Sequence, residues 1–200
     1  SLVETIEKNL DDYAARNRTL SGMAEYHSMW FVLLGKSEPE RVQTGVVAAN
    51  YFDVMGVKPV LGRTFRPGED AQGAEPLLIL SYDYWTRRFR RDPQIVGRTL
   101  RMENRAYEIV GVVQDGFTGT EPGTVIDVFF PAMMHPRVTA PDSSWFRPFA
   151  HLKPGIAPEA VRQRLDAPFQ RFQEERAATF TTMPKPRIAD FLNQTLRLEP

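Results

Sequence analysis

Two hundred residues with 42% hydrophobic and 25% charged content describe an ordinary globular chain, long enough to bury a core without covalent staples, and exclude a disordered tail. Twenty-five basic side chains balance twenty-five acidic ones, and this net charge of zero argues against a nucleic-acid surface. The absence of cysteine removes disulfides, thiolate metal sites and cysteine nucleophiles together, and leaves the compartment open.

The longest apolar runs, 29–34 and 77–80, fall far short of the roughly 20 residues that cross a bilayer. The chain begins at Ser1 with no basic n-region and no apolar h-region, and reads as a piece of a longer protein, as a membrane protein's soluble loop would. Leu2, Ile6, Leu10 and Tyr13 recur at steps of four, four and three, which predicts an amphipathic helix over 2–16, closed by Asn17 and Ser21-Gly22. Residues 25–34 are rich in aromatic and branched side chains, and 41–49 end in an apolar run. The loop Gly35-Lys36-Ser37-Glu38-Pro39 between them predicts an antiparallel hairpin.

The run Asn50-Tyr51-Phe52-Asp53-Val54-Met55-Gly56 follows as a one-turn helix. Asn50 is placed to cap an exposed amide with its side chain, Asp53 complements the positive helix end, and Gly56 closes the turn in the left-handed region. Gly62 starts a turn, and residues 67–73 form a surface loop by composition. Leu77-Leu78-Ile79-Leu80, apolar at every position, predicts a strand covered on both faces. Ser81 caps a helix running to Phe89, with Tyr82, Trp85 and Phe89 along one side. Asp92-Pro93 repeats the start signal and Gly97 the stop, which predicts another short helix. Residues 99–102 and 107–113 flank Glu103-Asn104-Arg105 as a hairpin, and 127–131 adds a short strand. The Gly-Arg-Thr phrases at Gly62 and Gly97 are one local solution used twice, a glycine turn leading into a strand, and not a repeat array.

Residues 134–144 have linker composition. Beyond them, 149–152 reads as a strand, Lys153-Pro154-Gly155 as a turn, and Pro158 onward as a helix with Val161, Leu165, Phe169 and Phe172 on one stripe. Pro168 should kink or split that helix near Asp166, and Ala157 offers no acceptor where a cap is expected. Pro184-Lys185-Pro186 reads as loop or extended chain, and 195–198 as a final strand.

Motifs for chemistry are absent. No Gly-x-x-x-x-Gly-Lys-Ser/Thr phosphate loop and no Gly-x-Ser-x-Gly elbow occurs. His27, His135 and His151 form no His-x-x-x-His or Glu-x-x-His pair, so surface or packing roles are expected of them. No catalytic, cofactor-binding or metal residue is nominated. Arg87, Arg88, Arg90 and Arg91 cluster at a helix C-terminus, which favours cations, so a solvated structural cluster is expected; contact with anionic lipid or an acidic partner is the functional alternative. Trp30, Phe31, Trp145 and Phe146 are expected to pack in the core or between subdomains.

The order of these phrases carries a resemblance. Val47-Ala48-Ala49-Asn50-Tyr51-Phe52-Asp53-Val54-Met55-Gly56 and Gly62-Arg63-Thr64-Phe65, then 81–89, then Asp92-Pro93 to Gly97-Arg98-Thr99-Leu100, then 107–113, resemble the extracytoplasmic core domain of MacB-like ABC transporter permeases. Leu152-Lys153-Pro154-Gly155-Ile156 with Glu159-Ala160-Val161 is similar to that family's return segment, whereas the tail after Ala178 departs from it. The resemblance implies an α+β fold: a porter-like α/β subdomain from both chain ends, 1–48 and 135–200, carrying an inserted β-rich, Sabre-like subdomain over 49–134. It implies a domain inserted between the first and second membrane helices of an inner-membrane permease, facing the periplasm or cell exterior and hinged near Ala49 and Met134. Partners implied are an ABC ATPase domain or subunit acting through the membrane helices, a periplasmic adaptor or cargo protein, and a second copy in a homodimer. No cofactor and no enzymatic activity in this domain are implied. A free-standing secreted or periplasmic protein-binding module is the alternative, and an uncharacterised hydrolase a third reading.

Overall fold

The computed structural model describes residues 20–33, 40–102, 105–132, 147–181 and 183–195. The expected helix over 2–16, the 35–39 loop, the 134–144 linker, Trp145, Phe146 and the strand over 196–198 lie outside these residues. Along the described chain run β1 (Leu20–Leu33), β2 (Glu40–Val47), α1 (Tyr51–Val54), β3 (Pro59–Gly62), β4 (Leu77–Leu80), α2 (Tyr82–Phe89), β5 (Thr99–Met102), β6 (Arg105–Val113), β7 (Val128–Pro131), β8 (Arg147–Leu152), α3 (Pro158–Ala177) and α4 (Lys185–Leu192). The result is a mixed α+β fold.

All eight strands belong to one sheet, ordered β2-β7-β4-β6-β5-β1-β8, with β3 on β6 and β1 also pairing β2, so the hydrogen-bonded path returns to its start. β2 with β7 and β4 with β6 run parallel, and the other registered pairs are antiparallel. Strand periodicity sorts the side chains. Leu78, Leu80, Ile109, Val128 and Phe130 join one buried cluster, while Leu77, Ile79, Val110, Val113 and Phe129 join another. Tyr84 of α2 belongs to the first cluster, and Tyr51 and Phe52 of α1 to the second. All four β4 residues are buried, as their uninterrupted apolar run predicts.

Two glycines are fixed by crowding. A Cβ on Gly111 would stand 2.1 Å from the Arg63 carbonyl oxygen, and one on Gly62 would stand 2.3 Å from the Val110 oxygen, where Gly62 also holds φ +68°. Both Gly-Arg phrases dock on neighbouring carbonyls of β6: the Arg63 amide donates to Val110 O and the Gly97 amide to Ile109 O.

The chain divides into two compact units. One comprises Met23–Val138 with Trp145–Ala150; the other comprises Ser1–Gly22, Thr139–Ser144 and His151–Pro200. In the second unit, Gln173 of α3 donates to the Phe191 carbonyl of α4 at 2.7 Å, and Phe180 meets Phe191 edge-on at 5.1 Å.

Several local expectations are corrected. Asp92-Pro93 starts no helix; the Asp92 carboxylate instead accepts from the Gln94 amide at 2.9 Å, a turn two residues long. α3 continues unbroken through Pro168, which is exposed, so the carbonyl it leaves unbonded can be hydrated. Pro184-Lys185-Pro186 does not loop but opens α4, where a first-turn proline lacks only an amide that would go unbonded anyway.

Candidate functional site

The outgoing strand β2 and the returning strand β7 lie side by side, with Thr44, Gly45, Val46 and Val47 opposite Val128, Phe129, Phe130 and Pro131. Asp127, just before β7, binds them at one point. Its Oδ2 accepts from the Gln43 amide at 3.0 Å, its own amide donates to Gln43 O at 2.8 Å, and its carbonyl accepts from the Ser81 amide at 2.8 Å. The remaining carboxylate oxygen accepts from Arg87 at 2.7 Å, and the Asp127 side chain is only 10% exposed. Arg87 is held above the usual arginine range by that hydrogen bond. One residue thus joins β2, β7 and both ends of α2, its carboxylate reaching the Gln43 amide and Arg87 and its carbonyl the Ser81 amide.

Ser81 makes α2 possible, accepting from the Tyr84 amide at 3.2 Å as the cap rule predicts. The buried residue of α2 is Tyr84, fully enclosed, whereas Tyr82, Trp85 and Phe89 are half-buried. Burial, with the charge of Glu40 second, pushes the Tyr84 phenol up to about 12. The arginines then divide. Arg88 pairs with Glu40 at 3.1 Å and Arg98 with Asp92 at 2.8 Å. Arg91 donates through Nε to Thr86 Oγ1 at 3.1 Å and lies 4.9 Å over the Tyr82 ring. Arg90 and Arg91 both hold left-handed backbone, φ 53° and 58°, at a helix end where glycine is usual and other residues cost about 1 kcal/mol each.

The α1 turn is built differently from the sequence expectation. Asn50 makes no side-chain cap; the Asp70 carboxylate, twenty-one residues on, accepts from the Ala49 amide at 2.7 Å instead. Gly56 does close the turn in the left-handed region, at φ +67°. Tyr51 and Phe52 enter an aromatic nest in which Phe117 stacks on Phe129 at 5.8 Å and Phe52 meets Phe129 edge-on at 5.2 Å. The loop over 118–125 lines a concavity of ≈ 290 Å³, is closed by the Ile126 amide on Thr118 O, and is tethered by Tyr51 Oη to Thr120 Oγ1 at 3.2 Å.

Among the described residues, no group of three or more His, Asp or Glu side chains could hold a metal ion. His151 is exposed, His27 lies in β1, and His135, like Trp145 and Phe146, is outside the described residues.

The model of the MacB-like periplasmic core domain family matches residues 3–167. The chain belongs to that family. A MacB-like core domain is the periplasmic part of an ABC-type transporter permease, and the family is not a catalytic one. Comparison with curated proteins finds no match. Among solved structures, the chain resembles the periplasmic region of MacB from Actinobacillus actinomycetemcomitans, at TM-score 0.63 and 13% identity over 82% of this chain and 72% of that one. It also resembles the extracellular domain of the noncanonic ABC-type transporter YknZ from Gram-positive bacteria, at TM-score 0.62 and 12% identity over 84% and 82% of the two chains. Identities this low carry the fold alone. The MacB-like match ends at residue 167, part-way along α3, so α4 and the chain around it lie beyond it. No described helix of this core domain is long and apolar enough to cross a membrane.

Proposed function

We propose that this domain transmits motion rather than performing chemistry: a conformational change driven by ATP in a separate nucleotide-binding domain or subunit reaches it through membrane helices and is passed to cargo or partner proteins outside the membrane. The observation that carries this reading is the parallel pairing of β2 with β7, braced by Asp127, because strands joined through a ladder and a buried carboxylate-to-amide hydrogen bond move together. A ligand shifts a conformational equilibrium only through differential affinity, so the energy must enter where ATP binds and the domain needs only to be stiff. On this reading the family's two-part plan applies, with a Sabre-like middle over 49–134, porter-like ends over 1–48 and 135–200, and hinges near Ala49 and Met134. The parallel outgoing and returning strands support it by setting both ends of the middle segment next to one another. Inner-membrane placement, homodimerisation in the whole transporter and a periplasmic adaptor belong to the same proposal.

The full-length gene tests it. It is expected to encode an apolar stretch of roughly 20 residues before Ser1 and three more after Pro200. A full-length gene encoding neither would overturn the reading. A second test uses the absence of cysteine from these 200 residues, which leaves an engineered pair unambiguous within the domain. Cross-linking cysteines introduced at the two proposed hinges in the whole transporter should stop export while ATP hydrolysis continues; undiminished export after complete cross-linking removes the hinge.

A further inference from the structure

We propose that the end of α2, centred on Arg90 and Arg91, is a docking surface for an acidic segment of a partner protein. Five arginines converge there, and three are spoken for: Arg87 by Asp127, Arg88 by Glu40 and Arg98 by Asp92. The other two are the ones the backbone holds in left-handed conformation, at φ 53° and 58°. Arg90 is exposed and makes no ion pair or hydrogen bond with a described side chain. Arg91 is exposed and is steadied by its Nε on Thr86 and by the Tyr82 ring, which leaves its two terminal nitrogens as open donors. Fold stability alone would favour glycine at both positions. Arginine here keeps a strained turn and gains two exposed guanidinium forks, that of Arg91 lying over half-buried Tyr82, whose ring meets that of half-buried Trp85 edge-on at 5.7 Å.

The chemistry selects the partner. Paired forks suit carboxylates in two-donor geometry, and arginine with tyrosine and tryptophan is the composition of interface anchors. An anionic membrane fits less well. Two arginines without acidic partners add about five-fold each to partition on such a surface, and α2 carries no exposed large hydrophobic residue to insert. Asp83 stands in the first turn of α2, away from the arginine end. The proposal does not rest on the transporter reading; it concerns what this surface would hold in any setting.

The test titrates the 200-residue chain into a fluorescein-labelled deca-glutamate peptide and follows anisotropy at low and high salt. Saturable binding that weakens with salt is expected. Arg90→Glu with Arg91→Glu should weaken it at least about ten-fold, whereas Arg164→Glu with Arg171→Glu on α3, the same change of charge, should move it less than about two-fold. Arg90→Gly separates charge from strain: its melting temperature should rise while peptide affinity falls about three- to five-fold. No saturable binding overturns the proposal, as does equal weakening by the α3 pair, or wild-type affinity in Arg90→Gly. Vesicles of phosphatidylglycerol serve as the second probe, and binding to them without binding to the peptide assigns the patch to lipid and overturns it equally.

Discussion

Tyr84 shows how a single buried group sets a limit on the whole chain. Its ring is fully enclosed and its phenol is pushed up to about 12, chiefly by burial. In the unfolded chain the same phenol titrates near 10, so between these two values the unfolded form loses a proton that the folded form keeps. Stability is therefore intact below pH 10 and falls as pH rises toward 12, by roughly 2 to 3 kcal/mol from this residue. Urea unfolding at stepped pH should show that decline in the native sequence and a shallower one in Tyr84→Phe; identical slopes would remove Tyr84 as the cause. The acid side has its own group. Partial burial raises the Glu69 carboxyl, but the two-pronged Arg63 pair at 2.8 Å and the Arg66 amide outweigh it and hold Glu69 below the usual range. A lowered carboxylate stabilises above its unfolded value and loses that contribution as pH falls through the folded one. Glu69→Gln should therefore cost about 1 kcal/mol at pH 7 and progressively less as the pH falls below the ordinary glutamate range, read from the same urea curves.

At the scale of elements, the turns that hold β3 to β6 rest on the absence of two methyl groups. Gly111 has ordinary backbone, so Gly111→Ala tests crowding alone: its Cβ would meet the Arg63 carbonyl oxygen at 2.1 Å. The expected cost is about 3 kcal/mol, seen as a lower urea midpoint, against about 1 kcal/mol for Ser81→Ala, which removes only the α2 cap. Equal costs would mean that β3 yields freely. Such details mark where the sequence is legible. The all-apolar run of β4, the Ser81 cap and the β5–β6 hairpin are local patterns, and each was readable from its own neighbours. Asn50 carries the cap signal yet makes no side-chain cap, while the Ala49 amide before it is met by Asp70 from a distant loop, and no local pattern announces that. Asp92-Pro93 carries the signals of a helix, but only three residues separate that dipeptide from Gly97 at φ +86°, too few to repay nucleation. The bracing role of Asp127 was illegible for the same reason. Gln43 lies eighty-four residues away and Arg87 forty, so their meeting is a product of the sheet topology.

At the scale of the molecule, the sheet distributes stability unevenly. β4, β6 and β7 place buried side chains in two clusters, one on each face, and their pairings belong to a path that returns through β1 to β2. By contrast, α3 buries only Val161, Gln173 and Arg176, and α4 buries no residue. Local opening free energy follows buried apolar contact, so the two units should open separately instead of as one block. Native-state amide exchange on the 200-residue chain makes this quantitative. Amides of β4, β6 and β7 should exchange at least about a hundred-fold more slowly than those of α3 and α4, with β2 close to the slow group because Asp127 ties it to β7. Asp127→Ala should then speed exchange in β2 and in the last turn of α2 together, while leaving α4 unchanged. Uniform protection across both units would contradict a stiff sheet joined to more weakly held helices. Acceleration confined to β2 would show that Asp127 braces a strand and not a crossing.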